Sequence, residues 1–122
     1  MKRGPVLVVD DDQDLQELLR LLLEGEGYAV QLAGDGLQAL ARVAEAMPAL
    51  ILLDMNMPVL NGWQFARALR EAYAAEAAPI VVVTAARDAR RSAADIHADA
   101  WIGKPFDIDE VLELVRRYLA AA

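Results

Sequence analysis

Short runs of uninterrupted apolar residues alternate along this chain with segments of helical periodicity. Residues 6–9 are Val-Leu-Val-Val, residues 50–53 Leu-Ile-Leu-Leu and residues 80–83 Ile-Val-Val-Val. A strand with one wet face alternates apolar and polar side chains. A strand that is apolar at every position must be covered on both faces, which is the situation inside a parallel sheet clad with helices.

The pattern repeats five times. Expected strands are 6–9, 28–33, 50–53, 80–83 and a short one at 100–102. After the first, Leu15, Leu18, Leu19 and Leu22 recur at helical spacing, with Asp12 placed to cap the start and Gly25 and Gly27 to stop it. Further helices are expected over 36–47 (Leu37, Leu40, Ala41 and Ala44 inward), 62–73 (Phe65, Ala66, Leu69, Ala72), 87–96 and 107–119 (Ile108, Val111, Leu112, Val115, Leu119). The 87–96 helix offers only Ala89, Ala93 and Ile96 as an apolar face and is expected to be marginally stable. Strands alternating with helices describe an α/β fold with right-handed crossovers, so every strand's carboxyl end opens on one edge of the sheet, where ligands bind in such folds.

Length and composition narrow the classes. The 122 residues suit one domain, 1–122, with a core over about 5–119. Although 57% of residues are hydrophobic, no uncharged apolar run approaches the roughly 18 needed to span a bilayer, so no membrane insertion is expected. The basic start, Met1-Lys2-Arg3, precedes too short an apolar run for a signal peptide, which makes a cytoplasmic location the expectation. The absence of cysteine excludes disulfides and thiolate chemistry. A net charge of −7 argues against direct nucleic-acid binding, and Arg87, Arg90 and Arg91 read as a solvated helix face.

The polar residues that end the apolar runs are Asp10 and Asp11 after the first strand, Asp54 after the third, Thr84 after the fourth and Lys104 after the fifth. If the first and third strands are neighbours, the three carboxylates meet. Crowded like charges raise one another's pKa unless a cation sits among them, and Mg²⁺ suits an all-oxygen site of few protein ligands. Aspartates after strands are also ordinary turn or capping residues. Thr84 and Lys104 add a hydroxyl donor and a mobile positive charge, the groups needed around the oxygens of a phosphoryl group on Asp54. A carboxylate serves as such a nucleophile. Neither GxxxxGK[ST] nor GxGxxG occurs, and His97, the single histidine, has no serine or cysteine partner in a recognisable motif.

These residues resemble the response-regulator receiver domain of two-component signalling, the CheY-like superfamily, over essentially the whole chain. Val-Leu-Val-Val-Asp-Asp-Asp at 6–12 resembles the family's first strand and acidic pair; Leu-Leu-Asp-Met-Asn-Met-Pro at 52–58, with Asn61-Gly62, resembles its phosphoacceptor loop. Val-Thr-Ala at 83–85 and Lys-Pro-Phe at 104–106 resemble its switch hydroxyl and lysine segments. The resemblance implies a flavodoxin-like doubly wound five-stranded parallel sheet of order 2-1-3-4-5 with five helices. It implies Asp54 as phosphoacceptor, and Mg²⁺ (or Mn²⁺) held by Asp11, Asp54 and the Asn56 carbonyl, with Asp10 acting mainly through water. It also implies Thr84, Lys104 and Trp101 as the phosphoryl-stabilising and switch set, loop roles for Pro58 and Gly62, and a cis bond before Pro105.

Implied partners are a sensor histidine kinase or phosphotransfer protein and a downstream protein on the face of the fourth helix, fifth strand and fifth helix. The domain would signal through noncovalent contacts and catalyse only its own phosphorylation and dephosphorylation. Two departures stand out: the 84–104 stretch is about two residues short, and His97 occupies a frequent glycine position. The alternatives are a phosphorylation-independent scaffold of the same fold, or a small Mg²⁺-dependent phosphatase. The phosphatase would need a second acid where Asn56 stands, and a substrate cap.

Overall fold

The computed structural model describes residues 4–119. Their elements run β1 (Val6–Val9), α1 (Gln13–Gly25), β2 (Val30–Ala33), α2 (Gly36–Glu45), β3 (Leu50–Leu53), α3 (Gly62–Tyr73), a 3-10 turn (Ala74–Glu76), β4 (Ile80–Ala85), α4 (Ala86–Asp95), β5 (Ala100–Lys104) and α5 (Ile108–Leu119). The strands form one parallel sheet of order β2-β1-β3-β4-β5, the flavodoxin-like arrangement. β1 and β3 lie side by side in register, Val9 beside Leu53.

The uninterrupted apolar strands divide their side chains between two cores. Leu7, Val9, Ile51, Leu53, Ile80 and Val82 face α2, α3 and the end of α4, around Phe65 and Leu69. Val6, Val8, Leu50, Leu52, Val81 and Val83 face α1 and α5, around Leu19, Leu23, Val111 and Val115. This two-sided burial is why these strands carry no polar alternation.

Several boundaries differ from expectation for local reasons. β2 starts at Val30, not 28, because the Tyr28 N–H is used on the Leu23 carbonyl to finish α1. α2 stops at Glu45, two residues early: Ala46 is extended, and Pro48 disfavours helix in the residue before it. α2 is also rotated about its axis. Ala39 and Val43 are buried, whereas Leu37 (54% exposed), Ala41 and Ala44 face outward. The rotation is set at Gly36, whose N–H bonds the Leu60 carbonyl and where a Cβ would lie 2.7 Å from that oxygen. Leu18, Ala72 and Ile108, expected inward, are exposed as well.

β4 and β5 run past their apolar residues to Ala85 and Lys104, because the ladder continues through Thr84 with Gly103 and Ala85 with Lys104. α4 is a full ten residues despite its small face of Ala89, Ser92 and Ala93. His97, which follows it, has φ +52, the left-handed region that glycine favours. Asp99 ties the opposite edge of the sheet by exchanging bonds with Ile80 through its carboxylate and its N–H.

Candidate functional site

The apolar runs of β1 and β3 end at the same level, and the next residue of each is an aspartate. Asp10 and Asp54 are buried and Asp11 is exposed; one carboxylate oxygen from each lies within 4.8 Å of the others. Lys104, delivered by β5, places its Nζ 2.8 Å from Asp10 Oδ2 and 3.8 Å from Asp54 Oδ1. Thr84 is 2% exposed near the end of β4, and its hydroxyl, like the Asn56 backbone N–H, is near enough to the Asp54 carboxylate to favour its charged form. The peptide bond from Lys104 to Pro105 is cis, as the resemblance implied.

Burial raises the Asp54 carboxyl above its ordinary pKa, and the neighbouring negative charge of Asp10 adds to the rise. Lys104, the Asn56 N–H and the Thr84 hydroxyl oppose it. The cluster is thus short of positive charge around the buried Asp54. Three converging carboxylates form an all-oxygen donor set, which fits a hard divalent cation.

The loop after Asp54 is packed against the start of α3. A Cβ on Gly62 would lie 2.6 Å from Met55 Sδ and 2.9 Å from the Asp54 carbonyl oxygen, so only glycine lets the helix approach the Asp54 backbone. Asn61 and Gln64 form a reciprocal capping box there. Met57 is buried, Pro58 exposed, and Val59 is 70% exposed with φ +70.

Of the residues singled out from sequence, Asp10, Asp11, Asp54, Thr84 and Lys104 converge. Asn56 joins them through its backbone while its side chain is exposed. Trp101 stands apart on β5, half exposed and pointing away from the cluster between α4 and α5. Gln16 was missed: its Nε2 donates to the carbonyls of Asp10 and Ala33. A glutamine in the second turn of an amphipathic helix carries no sequence signal for such a contact.

The model of the response regulator receiver domain family matches residues 6–116. The chain belongs to that family. Among relatives of this receiver domain, the DNA-binding response regulator MtrA of Mycobacterium tuberculosis H37Rv is 42% identical over 119 residues. That match covers 96% of the chain and 51% of MtrA. Response regulator MprA of Mycobacterium avium is 41% identical over 117 residues, covering 93% of the chain and 50% of MprA. The receiver domain therefore spans about half the length of these relatives. Among solved structures, chemotaxis response regulator CheY4 of Vibrio cholerae superposes with a TM-score of 0.85 at 31% identity, covering 97% of this chain and all of that one. A CheY-like receiver domain protein from Methanospirillum hungatei gives 0.86 at 26% identity, covering 98% and 95%.

Proposed function

We propose that the domain accepts a phosphoryl group on Asp54 from the phosphohistidine of a sensor kinase or phosphotransfer protein, in a Mg²⁺-dependent reaction. The observation that carries this reading is the convergence of three carboxylates within 4.8 Å, with Lys104 in reach of two of them. Asp10, Asp11, Asp54 and the Asn56 carbonyl would hold Mg²⁺ (or Mn²⁺). When bound, such an ion offsets negative charge on the transferring oxygens.

Each protein group has a defined part. An Asp54 carboxylate oxygen forms the bond to phosphorus while the bond from phosphorus to the donor imidazole nitrogen breaks. Lys104 sits where a phosphoryl oxygen on Asp54 would need a counter-charge, and the Thr84 hydroxyl is free to turn from the carboxylate to that oxygen. Gly62 and the capped start of α3 fix the acceptor backbone, so the attacking group needs little reorganisation.

Phosphorylation would favour an arrangement with Thr84 drawn toward the phosphoryl group and Trp101 turned inward, altering the face of α4, β5 and α5. The half-exposed Trp101, flanked by Arg90 on one side and Asp109, Glu110 and Glu113 on the other, supports that face as a protein-binding surface. We assign no nucleic-acid contact to the acidic receiver itself; in longer relatives named as DNA-binding, the matched half is this domain.

The test is incubation with acetyl phosphate, with and without Mg²⁺, followed by intact mass measurement. An adduct of about 80 Da is expected with metal, and none without metal or in Asp54→Ala. A chain that gains no mass at the shortest times, yet binds its partner equally well as Asp54→Asn, is a scaffold instead.

A further inference from the structure

The members of the acidic cluster are held to very different degrees. Asp54 has Thr84, Lys104 and the Asn56 N–H. Asp10 accepts the Asp12 N–H at 2.9 Å and pairs with Lys104. The Asp11 carboxylate is exposed and has no hydrogen-bond or ion-pair partner among the described residues. Its direction is therefore set by its backbone, and the carbonyl that precedes it, that of Asp10, accepts from Gln16 Nε2.

The same Nε2 donates to the Ala33 carbonyl at 3.1 Å, so both of its hydrogens are committed. Gln16 is itself fixed by α1, whose start is pinned by the Asp12 carboxylate accepting the Asp14 and Leu15 N–H groups at 3.0 and 3.2 Å. One side chain thus ties α1 to the carboxyl ends of both β1 and β2 at the point where the acidic loop leaves the sheet.

We infer that Gln16 is a positioning residue for the cation: by holding the Asp10 carbonyl it aims the peptide between Asp10 and Asp11, and with it the Asp11 carboxylate, at Asp54. The inference rests on reading the acidic cluster as the Mg²⁺ site. Without the two bonds from Gln16, Asp11 must be ordered at the moment of binding, and that entropy is subtracted from affinity. Groups that orient metal ligands in this way change affinity by about 10- to 100-fold when removed.

Calorimetric titration of the whole chain with MgCl₂ tests it. Gln16→Met keeps the length of the side chain and removes both donors; about a tenfold weaker Kd is expected. Leu23→Val, a core change on the same helix away from the loop, is the control. It lowers the melting temperature but leaves the Kd within twofold. Should Gln16→Met fail to fold, Gln16→Asn, whose shorter stem reaches one carbonyl at most, takes its place with a smaller loss. Mg²⁺ uptake that is indifferent to residue 16 overturns this inference alone. No uptake by the unaltered chain overturns it together with the metal reading.

Discussion

Val59 is the residue whose backbone least suits its side chain. It is β-branched, 70% exposed, and held at φ +70 in the loop between β3 and α3. The left-handed region costs a residue with a Cβ about 1–2 kcal/mol, more readily reached by glycine or asparagine than by valine. The loop is pinned on both sides, by Gly62 against the Asp54 and Met55 backbone and by the Gly36 N–H on the Leu60 carbonyl. These contacts force the conformation on residue 59. Val59→Gly removes the clash and loses about 0.5–1 kcal/mol to the freer unfolded chain, so a net gain of about 0.5–1 kcal/mol in denaturant unfolding is expected. A loss of stability would show that the exposed valine makes contacts that outweigh its backbone.

Among the elements, α4 depends most on its neighbours. Its start at Ala85 and Ala86 has no side-chain cap, and its buried face is two alanines and a serine. Its far end is held from α3: the Trp63 indole N–H donates to Asp95 at 3.1 Å, and the Arg70 guanidinium donates to the carbonyls of Ile96 and His97. Those carbonyls end the helix and have no intrahelical donor of their own, so the arginine acts as a C-terminal cap. Arg70→Met should loosen the last turn by about 1 kcal/mol. Amide exchange at residues 96–98 is expected to quicken about fivefold, with the β3 amides unchanged. Equal protection in the variant would mean that Ala89, Ala93 and Ile96 suffice to hold the helix.

Across the whole molecule, the sheet brings together acids that the unfolded chain keeps apart, and the native state bears the cost. Burial and Asp10 hold the Asp54 carboxyl above its ordinary pKa, so on unfolding it gives up its proton more readily. The unfolded state then binds fewer protons. The contribution of Asp54 to native stability is fully present below the ordinary carboxylate pKa of about 4 and is lost as pH rises through the raised one. Asp54→Asn abolishes this dependence. In metal-free buffer its melting temperature should exceed the parent's at pH 7, and the two should converge below about pH 4. A parent that melts higher than Asp54→Asn at pH 7 would show that Lys104 and Thr84 more than offset the burial of the charge.

The chain's own order of residues determined the layered α/β architecture, because strands apolar at every position have no other way to hide both faces. It also determined which residues stand at the strand ends, since an apolar run must stop where a carboxylate, hydroxyl or amine begins. Tertiary structure decided what no local pattern encodes. Gly36 pressed against Leu60 turned α2 so that Leu37 points out and Ala39 and Val43 point in. Pairing of Thr84 with Gly103 and Ala85 with Lys104 carried the strands beyond their apolar residues. Gln16 reached the Asp10 carbonyl only because α1 folds back over the ends of two strands. Periodicity reports which side chains prefer burial; the contacts between elements fix how each helix is rotated and which backbone groups a distant side chain meets.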